Sequence, residues 1–131
     1  MLIEYNPNPY GKRVGDCVIR AISKALNQPW EKTYTDIALQ GLILGDMPSS
    51  NAVWGTFLKN NGFERYAIPN TCPDCYTVED FCRDNPKGTY LLALSSHVVT
   101  VQDGNAYDIW DSLNEVPQYY WKRKVTKNGN V

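Results

Sequence analysis

The spacing of apolar residues changes once along this chain, at "PKG" (Pro86–Gly88), and that change constrains the fold more than any other feature. Beyond it, "TYLLALSSHVVTVQ" is rich in β-branched and aromatic residues, which fit a pleated, half-buried surface. Asp103–Gly104 follows at once, the dipeptide that most strongly signals a two-residue hairpin, and "NAYDIWD" reads as its return strand. "PQYYWKRKV" alternates at strand spacing and predicts a further, half-buried edge strand before a polar tail.

Before Pro86 the apolar residues recur at helical spacing. From Cys17 to Asn27, Val18, Ile22, Ala25 and Leu26 share one face and Arg20 and Lys24 the other, with Asp16 as N-cap. "NQPWEKTYTDIALQGLIL" predicts a second helix, with Pro29 in its first turn and Trp30, Tyr34, Ile37 and Leu44 near one face. "PSSNAVWGTFLKNNG" predicts a third, capped by Ser49 or Ser50 and stopped at Gly62. "TVEDFCRDN" offers a capping box between Thr77 and Asp80, with Val78, Phe81 and Cys82 to bury. Helices followed by an antiparallel sheet make an α+β domain. With no repeat, low-complexity segment or linker, residues 1–131 are expected to form a single domain.

Charge narrows the class of function. Thirteen basic and 14 acidic residues are mixed along the chain, without the basic stripe that nucleic acid or an anionic membrane surface would select. The opening residues lack a basic region followed by an apolar run, so no secretory signal is expected, and no apolar run is long enough to span a bilayer. Cys17, Cys72, Cys75 and Cys82 are therefore read as reduced thiols of a cytoplasmic protein. Cys72–Cys75 ("CPDC"), with Cys82 seven residues on, has the spacing of half a zinc site or of a redox pair. One knuckle is not a zinc site, and the prevailing expectation is a surface loop with incidental thiols, no metal and no cofactor. Trp30 and Trp54 lie on helical apolar faces and are assigned to the core.

The residues that carry chemistry are few. Cys17 opens a helix, where unpaired amides and the helix dipole favour a thiolate. His97 is the only histidine, so any imidazole base must be this one. Asp108 and Asp111 follow on the return strand of its hairpin. A two-residue turn at Asp103–Gly104 sets Asp108 diagonally on the face of His97, with Trp110 opposite the histidine and placed to shield that bond from water. A three-residue loop, Asp103 to Asn105, sets Asp111 opposite His97 instead.

Cysteine at the first helix, histidine opening a later strand and Asp or Asn on the next strand is the order found in papain-like cysteine peptidases. "GDCVIRAISKAL" with "GTYLLALSSHVVTVQDGNAYDIWDS", about 40 residues that bracket most of the chain, resembles compact members of that superfamily. These include double-glycine leader peptidases and hypothetical proteins of phages and prophages. The separation of 80 residues between Cys17 and His97 is short beside papain and suits a minimal fold, N-terminal helices packed on a C-terminal antiparallel sheet.

The resemblance implies a hydrolase of peptide or amide bonds, or an acyl transferase using the same thioester. Cys17 would be the nucleophile, His97 the general base and acid, and an aspartate the orienting group. In the family that residue follows the strand, which favours Asp111, with Asp108 as the alternative. The backbone N–H of Cys17 would be one oxyanion donor. Papain-like enzymes carry a glutamine shortly before the cysteine; "NPNPYGKRVGD" has none, and Asn8 or Asn6 would replace it if the loop folds back. The implied partner is a peptide or protein substrate, met by a monomer in the cytoplasm, or in the host cytoplasm for a phage product. The alternative is an inactive module on the same fold that grips a host factor.

Overall fold

A computed structural model of the chain describes residues 1–124; Val125, expected to end the last strand, and the polar tail lie outside them. Ten elements follow in order: β1 (Leu2–Glu4), α1 (Cys17–Leu26), α2 (Trp30–Leu44), α3 (Asn51–Asn60), β2 (Phe63–Ala67), α4 (Val78–Asp84), β3 (Thr89–Leu94), β4 (His97–Gln102), β5 (Asn105–Asp108) and β6 (Tyr119–Arg123). The fold is α+β, with one six-stranded sheet in the order β1-β5-β4-β3-β6-β2.

The sheet is not purely antiparallel, nor wholly C-terminal. β1 pairs in parallel with β5, from Leu2 against Ala106 to Glu4 against Asp108. β2 pairs antiparallel with β6, so β6 lies inside the sheet and β2 is the edge. The lead-in reads as irregular from sequence because three residues carry no period. Phe63–Ala67 buries only Phe63 and exposes its other four residues, so it lacks alternation too.

Strand alternation divides the core between two faces. Leu91, Ala93 and Val98 meet Ile22, Ile37, Trp54 and Leu58 from α1–α3. Tyr90, Leu92, Leu94, Val99 and Val101 meet Val78, Phe81 and Cys82 of α4. The central strands β3 and β4 are thus covered on both sides. Thr100, buried among them, satisfies its hydroxyl on the α1 carbonyl of Ala21 at 2.6 Å.

Helix ends follow local chemistry. Thr77 and Asp80 form the reciprocal capping box, each side chain accepting from the other residue's amide. α1 stops where Asn27 turns left-handed. The buried face of α2 differs from the sequence expectation: Thr33, Ile37 and Gly41 face inward, while Tyr34 and Leu44 are exposed and Trp30 is half-buried. Gly41 explains the choice, since a Cβ there would stand 2.7 Å from the carbonyl oxygen of Asp46. Only glycine lets the chain double back beneath α2 to reach α3.

Candidate active site

The turn between β4 and β5 decides the geometry. Asp103 and Gly104 both have positive φ, as a type I′ turn requires, and Gln102 pairs with Asn105. The loop is therefore two residues long, and it carries Asp108 towards His97. His97 Nε2 lies 2.7 Å from Asp108 Oδ2. Asp111 stays at the surface, where its carboxylate accepts from the Leu113 amide at 3.1 Å. The family-based preference for Asp111 is thus corrected by one residue of register. Trp110 packs on the imidazole with ring centroids 4.7 Å apart.

Cys17 is the first residue of α1, and its half-buried thiol lines the same cavity as His97 and Val98. With Nε2 taken by Asp108, Nδ1 is the ring nitrogen left for the sulfur. His97 thus stands between the buried carboxylate and the cavity wall that also carries the sulfur. Burial pushes the thiol up, but the hydrogen bond and charge of His97, the Val98 amide and the Arg20 charge outweigh it and hold Cys17 below its ordinary value. Burial likewise opposes a charged His97, yet hydrogen bonds to Asp108 and Cys17 and their charges raise it to about 9. Desolvation would raise Asp108, and the bond and charge of His97, the Ile109 amide and Ser112 instead keep it low. These directions favour the thiolate–imidazolium form of the pair, backed by a carboxylate.

Asp108 is fully buried and satisfied on both oxygens. Oδ1 accepts from the Ile109 amide at 2.8 Å and from Arg20 Nη2 at 3.2 Å; Oδ2 accepts from Ser112 Oγ at 2.9 Å besides meeting His97. Arg20, placed by helical spacing on the solvent face, is only 2% exposed and also grips Asp16 one turn back. The four-residue spacing of Asp16 and Arg20 was the available signal. Ser112 had none, because its role depends on how the chain leaves β5.

The sulfur and the imidazole open onto a cavity of about 610 Å³. Its walls are mainly apolar and aromatic, with Val18, Ile19, Tyr34, Trp54, Leu94 and Tyr119 among them, and Ser49, Asn51, Ser96 and Gln118 as uncharged polar groups. Asn6 and Asn8 do not line it. Asn6 donates to the Lys12 carbonyl, and Asn8 accepts from the Tyr10 and Lys12 amides, so both asparagines close their own loop. Asn51 and Gln118, which no sequence pattern marks, place side-chain amides on the cavity wall.

The remaining cysteines are elsewhere. Cys72 and Cys75 are joined as a disulfide in the loop before α4, which corrects the expectation of four reduced thiols; Pro73 and Asp74 turn the chain between them, and the Thr71 hydroxyl donates to the Asp74 carbonyl at 2.7 Å. Cys82 is free and buried under the sheet. Among the described residues no group of three His, Cys, Asp or Glu side chains could hold a metal ion, and no helix is long and apolar enough to cross a membrane. Compared with protein-family models, curated proteins and solved structures, the chain matches none.

Proposed function

We propose that this chain is a small papain-like cysteine hydrolase that cleaves a peptide or amide bond through Cys17, His97 and Asp108. The observation that carries this reading is the placement of Cys17 and His97 together on the wall of a ligand-sized cavity, with the buried Asp108 carboxylate bonded to the imidazole behind them. The Cys17 thiolate attacks the carbonyl carbon, and the resulting oxyanion takes the Cys17 amide as one donor. His97, as imidazolium, gives its Nδ1 proton to the leaving amine, and collapse yields a thioester and the free amine. Neutral His97 then takes a proton from water as that water attacks the thioester. Release of the acid restores the thiolate–imidazolium pair. Asp108 holds the ring so that the same nitrogen faces sulfur, substrate and water in turn.

The cavity suggests the substrate class. Among the described residues, the one ionisable side chain on its wall besides His97, Cys17 and the Tyr hydroxyls is Asp16, whose carboxylate is occupied by Arg20 and Trp30. An apolar acyl side chain fits such walls, whereas a charged one would be buried without a partner. A second reading, an inactive binding module on the same fold, is favoured by one observation, the engagement of Asn6 and Asn8 in their own loop.

Aminoacyl p-nitrophenyl esters separate the two readings. The hydrolase gives a stoichiometric burst with leucyl and phenylalanyl esters and an acyl adduct on Cys17 by mass spectrometry. Rapid alkylation of Cys17 with no acyl adduct from any ester would leave the binding module.

A further inference from the structure

Asp16 occupies the N-cap position of α1 and does not cap it. An N-cap aspartate ordinarily turns its carboxylate onto the second or third amide of its helix. Here no side-chain cap bond forms; one carboxylate oxygen is taken by Arg20 and the other accepts from Trp30 Nε1 at 2.8 Å. The amides left open belong to Val18 and Ile19, both on the wall of the cavity beside Cys17. The same guanidinium reaches Asp108 with its other terminal nitrogen at 3.2 Å. One buried cation therefore ties the residue before the thiol to the carboxylate behind the histidine.

We propose that Arg20 and Trp30 are positioning residues that hold the Asp16 carboxylate away from the start of α1, keeping its first-turn amides open to the Cys17 thiolate and to the oxyanion formed on the substrate. The inference rests on reading Cys17 as the reactive thiol. A carboxylate seated on those amides would occupy the donors and set a second negative charge beside the sulfur, weakening the helix-terminus field that favours the thiolate. Other charged groups facing the site are His97 from β4 and Asp108 from β5. α2 presents Trp30 and Tyr34, α3 presents Asn51 and Trp54, β3 presents Ala93 and Leu94, and the chain entering β6 presents Gln118 and Tyr119, none of them a carboxylate, ammonium, guanidinium or imidazole.

Trp30→Phe tests this, because it removes one N–H while leaving the buried Arg20 pairs and a ring to stack on Tyr34, 5.2 Å away between centroids. The readout is the pH midpoint of Cys17 alkylation by iodoacetamide, followed by peptide mass mapping. Trp30→Phe is expected to raise the midpoint so that labelling at pH 6 slows roughly threefold to tenfold. Adding Asp16→Asn to Trp30→Phe is expected to bring the midpoint back to the wild-type value or below, since no charge remains to swing onto the helix. A packing defect would not be rescued in this way. An unchanged midpoint in folded Trp30→Phe, or a double variant as slow as the single, would overturn the proposal while leaving Cys17 as nucleophile. Wild-type Cys17 labelling no faster than Cys82 at pH 6 would instead remove the hydrolase reading itself.

Discussion

Asp108 Oδ2 stands 2.7 Å from His97 Nε2, and it does so because the intervening hairpin turn has two residues and not three. Every other contact of that carboxylate, from Ile109, Ser112 and Arg20, secures the same orientation. Asp108→Asn is therefore expected to lower acyl turnover by roughly 10²- to 10⁴-fold, because an amide no longer balances the imidazolium. Asp111→Asn should stay within about twofold, like other surface changes. Burst rates of the two variants with one ester check this, and equal losses would contradict the assigned register.

The thiol and the histidine should show their coupling as pH varies. Cys17 is held low by His97, whereas burial raises the free thiol of Cys82. Iodoacetamide should label Cys17 at pH 6 at least about tenfold faster than Cys82, and His97→Ala should abolish the difference. Competitive labelling of native protein with mass mapping measures both.

Stability carries the opposite signature of the same pair. The folded state raises His97 from 6.5 to about 9, so it binds that proton more tightly than the unfolded chain. The stabilisation is complete below about pH 6.5 and is lost as pH rises through 9. Tm should fall between pH 7 and 10 more steeply in the wild type than in His97→Gln, as calorimetry across that range would show.

Charge in the cavity should set specificity. Ala38 lines the cavity from α2 and is half-buried. Ala38→Glu is expected to raise the rate with lysyl esters relative to leucyl esters by roughly tenfold or more, supplying the partner that a buried ammonium lacks in the wild type. An unchanged ratio of kcat/KM would show that acyl side chains bind elsewhere.

The capping box and the core give two scales of stability. Thr77→Ala removes the acceptor for the Asp80 amide, 3.2 Å away, and should cost about 1 kcal/mol. Leu58→Ala, at a fully buried position facing the sheet, should cost about 2–5 kcal/mol. Urea unfolding monitored by tryptophan fluorescence distinguishes the two.

What the amino-acid order determined by itself was local. The Asp103–Gly104 turn, the Thr77–Asp80 box and the helix begun at Cys17 depend on dihedral preferences and bonds a few residues apart. Cys17 and His97 could be singled out because one residue type was unique and the other stood at a helix start. What tertiary structure alone decided was where charge and strand edges go. Arg20 looks solvent-facing by helical period, yet it is buried because β5 brings Asp108 up from 88 residues away. β1 and β2 have too few alternating residues to declare themselves, and they become strands only when β5 and β6 offer open edges. The Asp16 carboxylate, a cap by its position, leaves the helix start because the Arg20 guanidinium one turn on and the indole N–H of Trp30 at the start of α2 bind it instead. A local cap bond then yields to an ion pair whose burial depends on Asp108, 88 residues away from Arg20.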